Sequence, residues 1–285
     1  MPRLDRYKRT AQIAKVLIPT VSRFLSSDRA QTAISLSETG AALLQGKGAG
    51  SGWDLNAEIT AAAAFIRDGA TVFDVGANKG EWSRAIRQRV ANLRLYLFEP
   101  QKACAPFLEM DGAVLTQAAV GETDGRAVLH SPGDTAGNAS LHERKDTYFQ
   151  RQSFTPSEVK LVSIDSFMAS HAIASVDFMK MDIEGHELFA LRGASRALAR
   201  GAIHAMSFEF GSGNINSRTF FRDYWDLLTE HGYEIFRVLP RGQTLRIAEY
   251  GEDLEYFRGV SNYLAVLPHR MPSGLAVAVG HIAPL

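Results

Sequence analysis

The residues with the most chemistry in this 285-residue chain fall in one short run, Lys180-Met-Asp182-Ile-Glu184-Gly-His186-Glu187. Three acids, a lysine and a histidine held together can orient a hydroxyl, move its proton or hold a hard cation. A further acid, Glu209, closes a second apolar run, Ala202 to Phe210. Upstream, Asp74-Val-Gly76-Ala-Asn78-Lys-Gly80 reads as a turn too tight for side chains, where a ligand can approach the backbone. Glu99 follows it at about 20 residues, the distance at which an acid accepts hydrogen bonds from ribose hydroxyls.

The elements that must position these groups alternate. Val72 to Val75 reads as a short buried strand, Glu81 to Arg89 as a helix and Leu93 to Phe98 as the next strand. Strand, glycine turn and helix present backbone N–H groups and a positive helix end to a ligand. An adenosine-bearing cofactor fits, and the pattern alone leaves NAD and S-adenosylmethionine both open. The turn is Asp-x-Gly-x-Asn-x-Gly, not the Gly-x-Gly-x-x-Gly of dinucleotide binders. Asp74 repels a pyrophosphate and suits the sulfonium and ammonium of S-adenosylmethionine.

Further along, Gln101 to Met110 is expected as a helix, Val114 to Val120 as a third strand and Ala127 to Ser131 as an edge strand. Residues 133–153 form a polar loop long enough to cover an active site. Asn138 and Ser140 in it could close over cofactor or substrate, or be plain turn residues. Phe178, Lys180 and Asp182 share one strand face, and Asp74, Glu99, Asp182 and Glu209 should converge at strand ends. Alternating units of this kind predict an α/β fold with a mostly parallel sheet and helices on both faces.

Composition limits the reading. Formal net charge is zero, which gives no global case for nucleic acid. One cysteine, Cys104, excludes an internal disulfide framework and fits a reducing compartment. No apolar run reaches the ~18–20 residues of a transmembrane helix, and no secretory signal is evident, so a cytoplasmic protein is expected. Residues 1–50 read as a basic, helical arm followed by a glycine-rich linker (Gln45 to Gly52), 51–268 as the catalytic domain and 269–285 as an unplaced tail. The arm reads either as a membrane-surface or partner helix, or as a solvated arm packed on the core or a second subunit, making a homo-oligomer.

Four motifs carry a family resemblance: Val-Phe-Asp-Val-Gly-Ala-Asn-Lys-Gly-Glu-Trp-Ser (72–83), Phe-Glu-Pro (98–100), Ala-Ala-Val-Gly (118–121) and Asp-Phe-Met-Lys-Met-Asp-Ile-Glu-Gly-His-Glu (177–187). Together they resemble the FkbM family of S-adenosylmethionine-dependent methyltransferases over roughly residues 53–267. The resemblance implies a Rossmann-like seven-stranded sheet whose final strand is antiparallel, and methyl transfer to a hydroxyl of a sugar, glycan or secondary metabolite. It implies that Gly76, Asn78 and Gly80 cradle the methionine part, with Asp74 near its ammonium, Glu99 on the ribose and Ala119 and Val120 beside the adenine. Asp182, His186, Lys180 and Glu209 are the catalytic candidates, with His186 a possible general base. If a divalent metal is used, Asp182 and Glu209 are its expected ligands.

Overall fold

The computed structural model describes residues 27–48, 51–145, 151–256, 259–273, 275 and 277–278, with Gln12, Lys15 and Ser22. The basic start of the arm otherwise lies outside the described residues, as do the side chains of Trp53 and Asp54 and the middle of the long loop.

In chain order the elements are helix α1 (Asp28–Leu44), α2 (Ser51–Ala63), strand β1 (Thr71–Val75), α3 (Glu81–Arg89), β2 (Arg94–Phe98), β3 (Val114–Thr116), β4 (Ala119–Val120), β5 (Gly125–Ser131) and β6 (Thr155–Val162). There follow α4 (Ile164–Ser170), β7 (Val176–Met181), α5 (Glu187–Arg192), α6 (Ser195–Ala199), β8 (Ile203–Phe210), α7 (Ser212–Ser217), α8 (Phe221–Glu230), β9 (Glu234–Val238), β10 (Thr244–Ile247), β11 (Ser261–Val266) and β12 (Val277–Ala278).

The main sheet runs β12-β10-β9-β11-β8-β7-β1-β2-β3. Its core is the expected seven-stranded α/β arrangement, β3 through β9, with β11 antiparallel to both neighbours. Two edge strands extend it. β10 pairs antiparallel with β9, and β12, from the tail that the sequence left unplaced, pairs parallel with β10.

Side-chain alternation divides the core. Val72, Leu95 and Phe178 pack on the α2–α3 side, while Phe73, Val75, Met179 and Met181 pack on the other. Trp82 stacks on Phe178 at 6.1 Å between centroids. Lys180 lies on the Phe178 face, beside Asp74 in register.

Three expectations are revised. The Gln101–Met110 segment is a short 3-10 helix, Lys102–Phe107, because Pro106 inside it cannot donate a helical hydrogen bond. The run Val114 to Val120 is not one strand: after β3 the chain leaves the main sheet, and β4 joins β6 and β5 in a separate three-stranded sheet. Gly46–Gly48 is packed wall, not free linker. Lys47 Nζ pairs with Asp253 at 3.2 Å, Gly48 N–H donates to Ser261 Oγ at 3.0 Å, and a Cβ on Gly46 would strike the Val238 carbonyl. α1 before it is almost wholly exposed, with Ala42 its buried residue.

Candidate active site

A cavity of about 550 Å³ opens at the carboxyl ends of β1, β2, β7 and β8, a size suited to a cofactor and small acceptor. One side is made by the glycine turn, Glu99 and the Ala118–Val120 segment; the other by Glu58 of α2, Asp182, Glu184, Glu209, Gly48 and Gly259.

On the first side the turn is held by the acid that follows it. Glu99 accepts from the backbone N–H of Asn78 and of Gln101, each at 2.8 Å. Burial pushes its pKa up, and those two bonds counter the shift. Glu99 is among the residues that line the cavity. Asn78 adopts φ +43, a conformation asparagine tolerates.

Gly76 has φ +82, and a Cβ there would run into the Asp182 carbonyl. Its bareness therefore serves the close approach of two strand ends as well as any ligand. Gly80, expected in the cradle, does not line the cavity. It sits at φ +73, where a Cβ would lie 2.8 Å from Met110 Cε. Asp74 also lies behind the wall, fully buried. Ser83 Oγ donates to its Oδ2 at 2.5 Å, and its Oδ1 is 3.4 Å from Lys180 Nζ. It pairs with the lysine and is not among the residues that line the cavity.

Lys180 Nζ donates to the Gly76 carbonyl at 3.2 Å and lies 3.4 Å from Asp182 Oδ2. Burial by itself lowers its pKa, but Asp74, Asp182, Glu58 and Glu209 together outweigh burial and hold it above the ordinary lysine value. The lysine is thus a fixed cation that spans the turn and the acid cluster, not a proton acceptor. Glu209 is raised as well, but here burial leads: burial, then Asp182, Glu184, Glu58 and Glu187, lift it well above a normal carboxylate and favour its neutral form. Met181 pairs with Phe208, which brings Asp182 and Glu209 to adjacent strand ends.

Behind these groups, Glu187 Oε1 accepts from Ile183 N–H at 2.9 Å and holds the turn. Burial pushes its pKa up to about 8. Glu184 takes φ +55, and Gly185 packs so closely on Gly213 that a Cβ would sit 2.6 Å from backbone.

The long loop covers one side. Ser140 Oγ donates to the Glu184 carbonyl at 2.9 Å, Arg144 Nη1 bonds Glu184 Oε2 at 2.5 Å, and His142 Nε2 meets His186 Nδ1 at 2.9 Å. Asn138 is turned away: its Nδ2 donates to Gln152 Oε1 at 3.0 Å, and it does not line the cavity. His186 does line it, but burial, then His142, pushes its pKa down to about 3. A histidine so shifted is a weak proton acceptor.

Glu58, Gly48, Arg144, His142 and Gly259 carried no motif, and sequence reasoning missed them. Among the described residues no group of three or more histidines, cysteines and acids is placed to hold a metal ion, so Asp182 and Glu209 stand as two donors without a third. No helix among them is long and apolar enough to cross a membrane. The donor set does fit S-adenosylmethionine: carboxylates outnumber cations around the cavity, Glu99 among them.

No curated protein matches the chain. Precorrin-6y C5,15-methyltransferase from Geobacter metallireducens GS-15 is similar in structure at 10% identity and a TM-score of 0.39, over 73% of this chain and 86% of that one. Fibrillarin from Aeropyrum pernix, solved with S-adenosyl-L-methionine natively bound, gives 13%, 0.38, 74% and 76%. At such values neither says what this chain acts on. The methyltransferase FkbM domain, by contrast, matches residues 74–235, more than half of the chain and a span holding all four motifs apart from its first two residues. The chain therefore belongs to the FkbM methyltransferase family.

Proposed function

We propose that the chain is an S-adenosylmethionine-dependent O-methyltransferase that methylates a hydroxyl of a sugar, glycan or secondary metabolite. The observation that carries this is the placement of Asp182: a quarter-exposed carboxylate in the cavity, paired at 3.4 Å with a buried lysine whose own contacts reach the glycine turn. When bound, the cofactor supplies an electrophilic methyl carbon on its sulfonium. Glu99 holds the ribose hydroxyls, the Ala119–Val120 segment borders the adenine, and Gly76 and Asn78 face the methionine part.

The chain's own residues then do the acceptor chemistry. Asp182, fixed by Lys180, accepts a hydrogen bond from the acceptor hydroxyl and takes its proton as attack proceeds. Glu209 beside it, raised in pKa, shares that proton across the pair. Glu58 and Glu184 provide further acceptors for a polyhydroxylated ligand. The same acid excess also suits a cationic amine, which makes N-methylation the second reading.

Titration calorimetry with S-adenosylhomocysteine and with NADH, followed by labelled methyl transfer to a panel of sugars, hydroxylated metabolites and amines, tests both. Binding of S-adenosylhomocysteine alone and label on a hydroxyl oxygen support the proposal. Label on amines alone, or binding of NADH in its place, contradicts it.

A further inference from the structure

A second cavity, of about 400 Å³, lies at the other end of the sheet, where β1, β7 and β8 begin. Its walls are the turn between α2 and β1, the first residues of β7 and β8, and the 3-10 turn Pro268–Arg270 with Met271 and Pro272 after it. The acids here are already engaged. Asp177 Oδ2 accepts the Thr71 N–H at 2.8 Å and its Oδ1 meets His204 Nδ1 at 3.2 Å, while Asp68 Oδ1 accepts from the Asn92 amide at 3.1 Å. The cations are not. Arg67, His269 and Arg270 line the cavity, stand exposed, and their side chains make no hydrogen bond or ion pair with any described residue.

We propose that this cavity binds a dianionic oxoanion, free phosphate or the phosphate group of a small metabolite, on Arg67 and Arg270, with His204 as a further donor. Two guanidinium groups carried on different segments suit the several oxygens of such an anion. The Asp177 carboxylate only accepts, so the proton between the two side chains sits on His204 Nδ1. His204 Nε2, neither buried nor bonded, then accepts when the ring is neutral and donates when it is charged. Burial, then Arg270, lowers the His204 pKa; His269 adds to this and Asp177 opposes it. Arg67 and Asp68 line the same cavity. An anion seated on Arg270 offsets that guanidinium and gives the imidazolium a partner, so binding draws a proton onto His204. The cavity is larger than one oxoanion, which leaves room for the body of a phosphorylated metabolite.

The test follows the ring signals of His204 and His269 by NMR in the full chain as inorganic phosphate replaces chloride at constant ionic strength. Both signals should move along one saturating curve. Arg67→Gln and Arg270→Gln, at exposed positions that folding tolerates, should each weaken phosphate about fivefold or more. Sulfate, which does not titrate in this range, should bind more tightly at about pH 5.5 than at about pH 7.5, and His204→Gln should shrink that difference. A sugar monophosphate that binds more tightly than phosphate assigns the cavity to a phosphorylated metabolite; phosphate binding more tightly assigns it to the free ion. Signals that do not move or that drift without saturating overturn the proposal, as does an affinity unchanged in both arginine variants. A pH dependence unchanged in His204→Gln contradicts the part given to that residue.

Discussion

The two sides of the cavity are built differently. The side proposed for the cofactor is local: a turn of seven residues, the acid that closes the next strand, and a short strand after it. Its contacts are largely side chain to backbone, as when Glu99 takes the N–H groups of Asn78 and Gln101. The side proposed for the acceptor is assembled from afar. Gly48, Glu58, Glu184, Glu209 and Gly259 come from five separate segments, held by bare backbone contacts such as Gly259 against Gly48, where a Cβ would lie 3.2 Å from Cα. A binding site for a constant ligand can be encoded in one stretch. A site for a variable acceptor draws on whatever segments the fold brings past it.

The largest expected effect separates the two sides. Asp182→Asn keeps shape and removes charge, so methyl transfer should fall about a hundredfold or more while cofactor affinity changes little. Full turnover with a verified acceptor would move the proton acceptor to Glu209. Gly76→Val breaks the separation instead. Because the new Cβ meets the Asp182 carbonyl at φ +82, the loss should appear first as stability, about 2 kcal/mol or more in urea unfolding. A stable variant that merely fails to bind cofactor would contradict this.

Glu187 gives a pH signature. Its folded pKa is pushed up to about 8, above the value in an unfolded chain. Stability it contributes is therefore complete below about pH 4.5 and is lost as pH rises through about 8. Glu187→Gln should flatten unfolding free energy across that window and exceed the wild type at its alkaline end. An unchanged slope would show that another group carries it. The smallest effect belongs to the acceptor wall: Gly259→Ala, at φ +98, should raise the acceptor KM a few-fold and leave S-adenosylhomocysteine affinity alone.

What could be read beforehand follows the same division. The seven core strands, the turn and Glu99 were legible because periodicity and glycine spacing act over a few residues. The roles of Asp74 and Gly80 were misjudged because strand alternation tells which face a residue takes, not whether ligand or protein lies there; Lys180 stands in front of Asp74. The glycines at 46–48 looked like linker, since sequence does not show the Val238 carbonyl and Ser261 that pack on them. Asn138 was misplaced for a similar reason, its amide being taken by Gln152. The break between β3 and β4 lies within an unbroken run of strand formers, so only pairing with β6 reveals it.

The division itself is tested most directly by titrating S-adenosylhomocysteine into the wild type, Glu99→Gln and Asp182→Asn under one condition. Glu99→Gln should lose about 1–3 kcal/mol of affinity as the ribose hydroxyls lose a charged acceptor, while Asp182→Asn should match the wild type. Equal losses in both, or none in Glu99→Gln, would contradict the account.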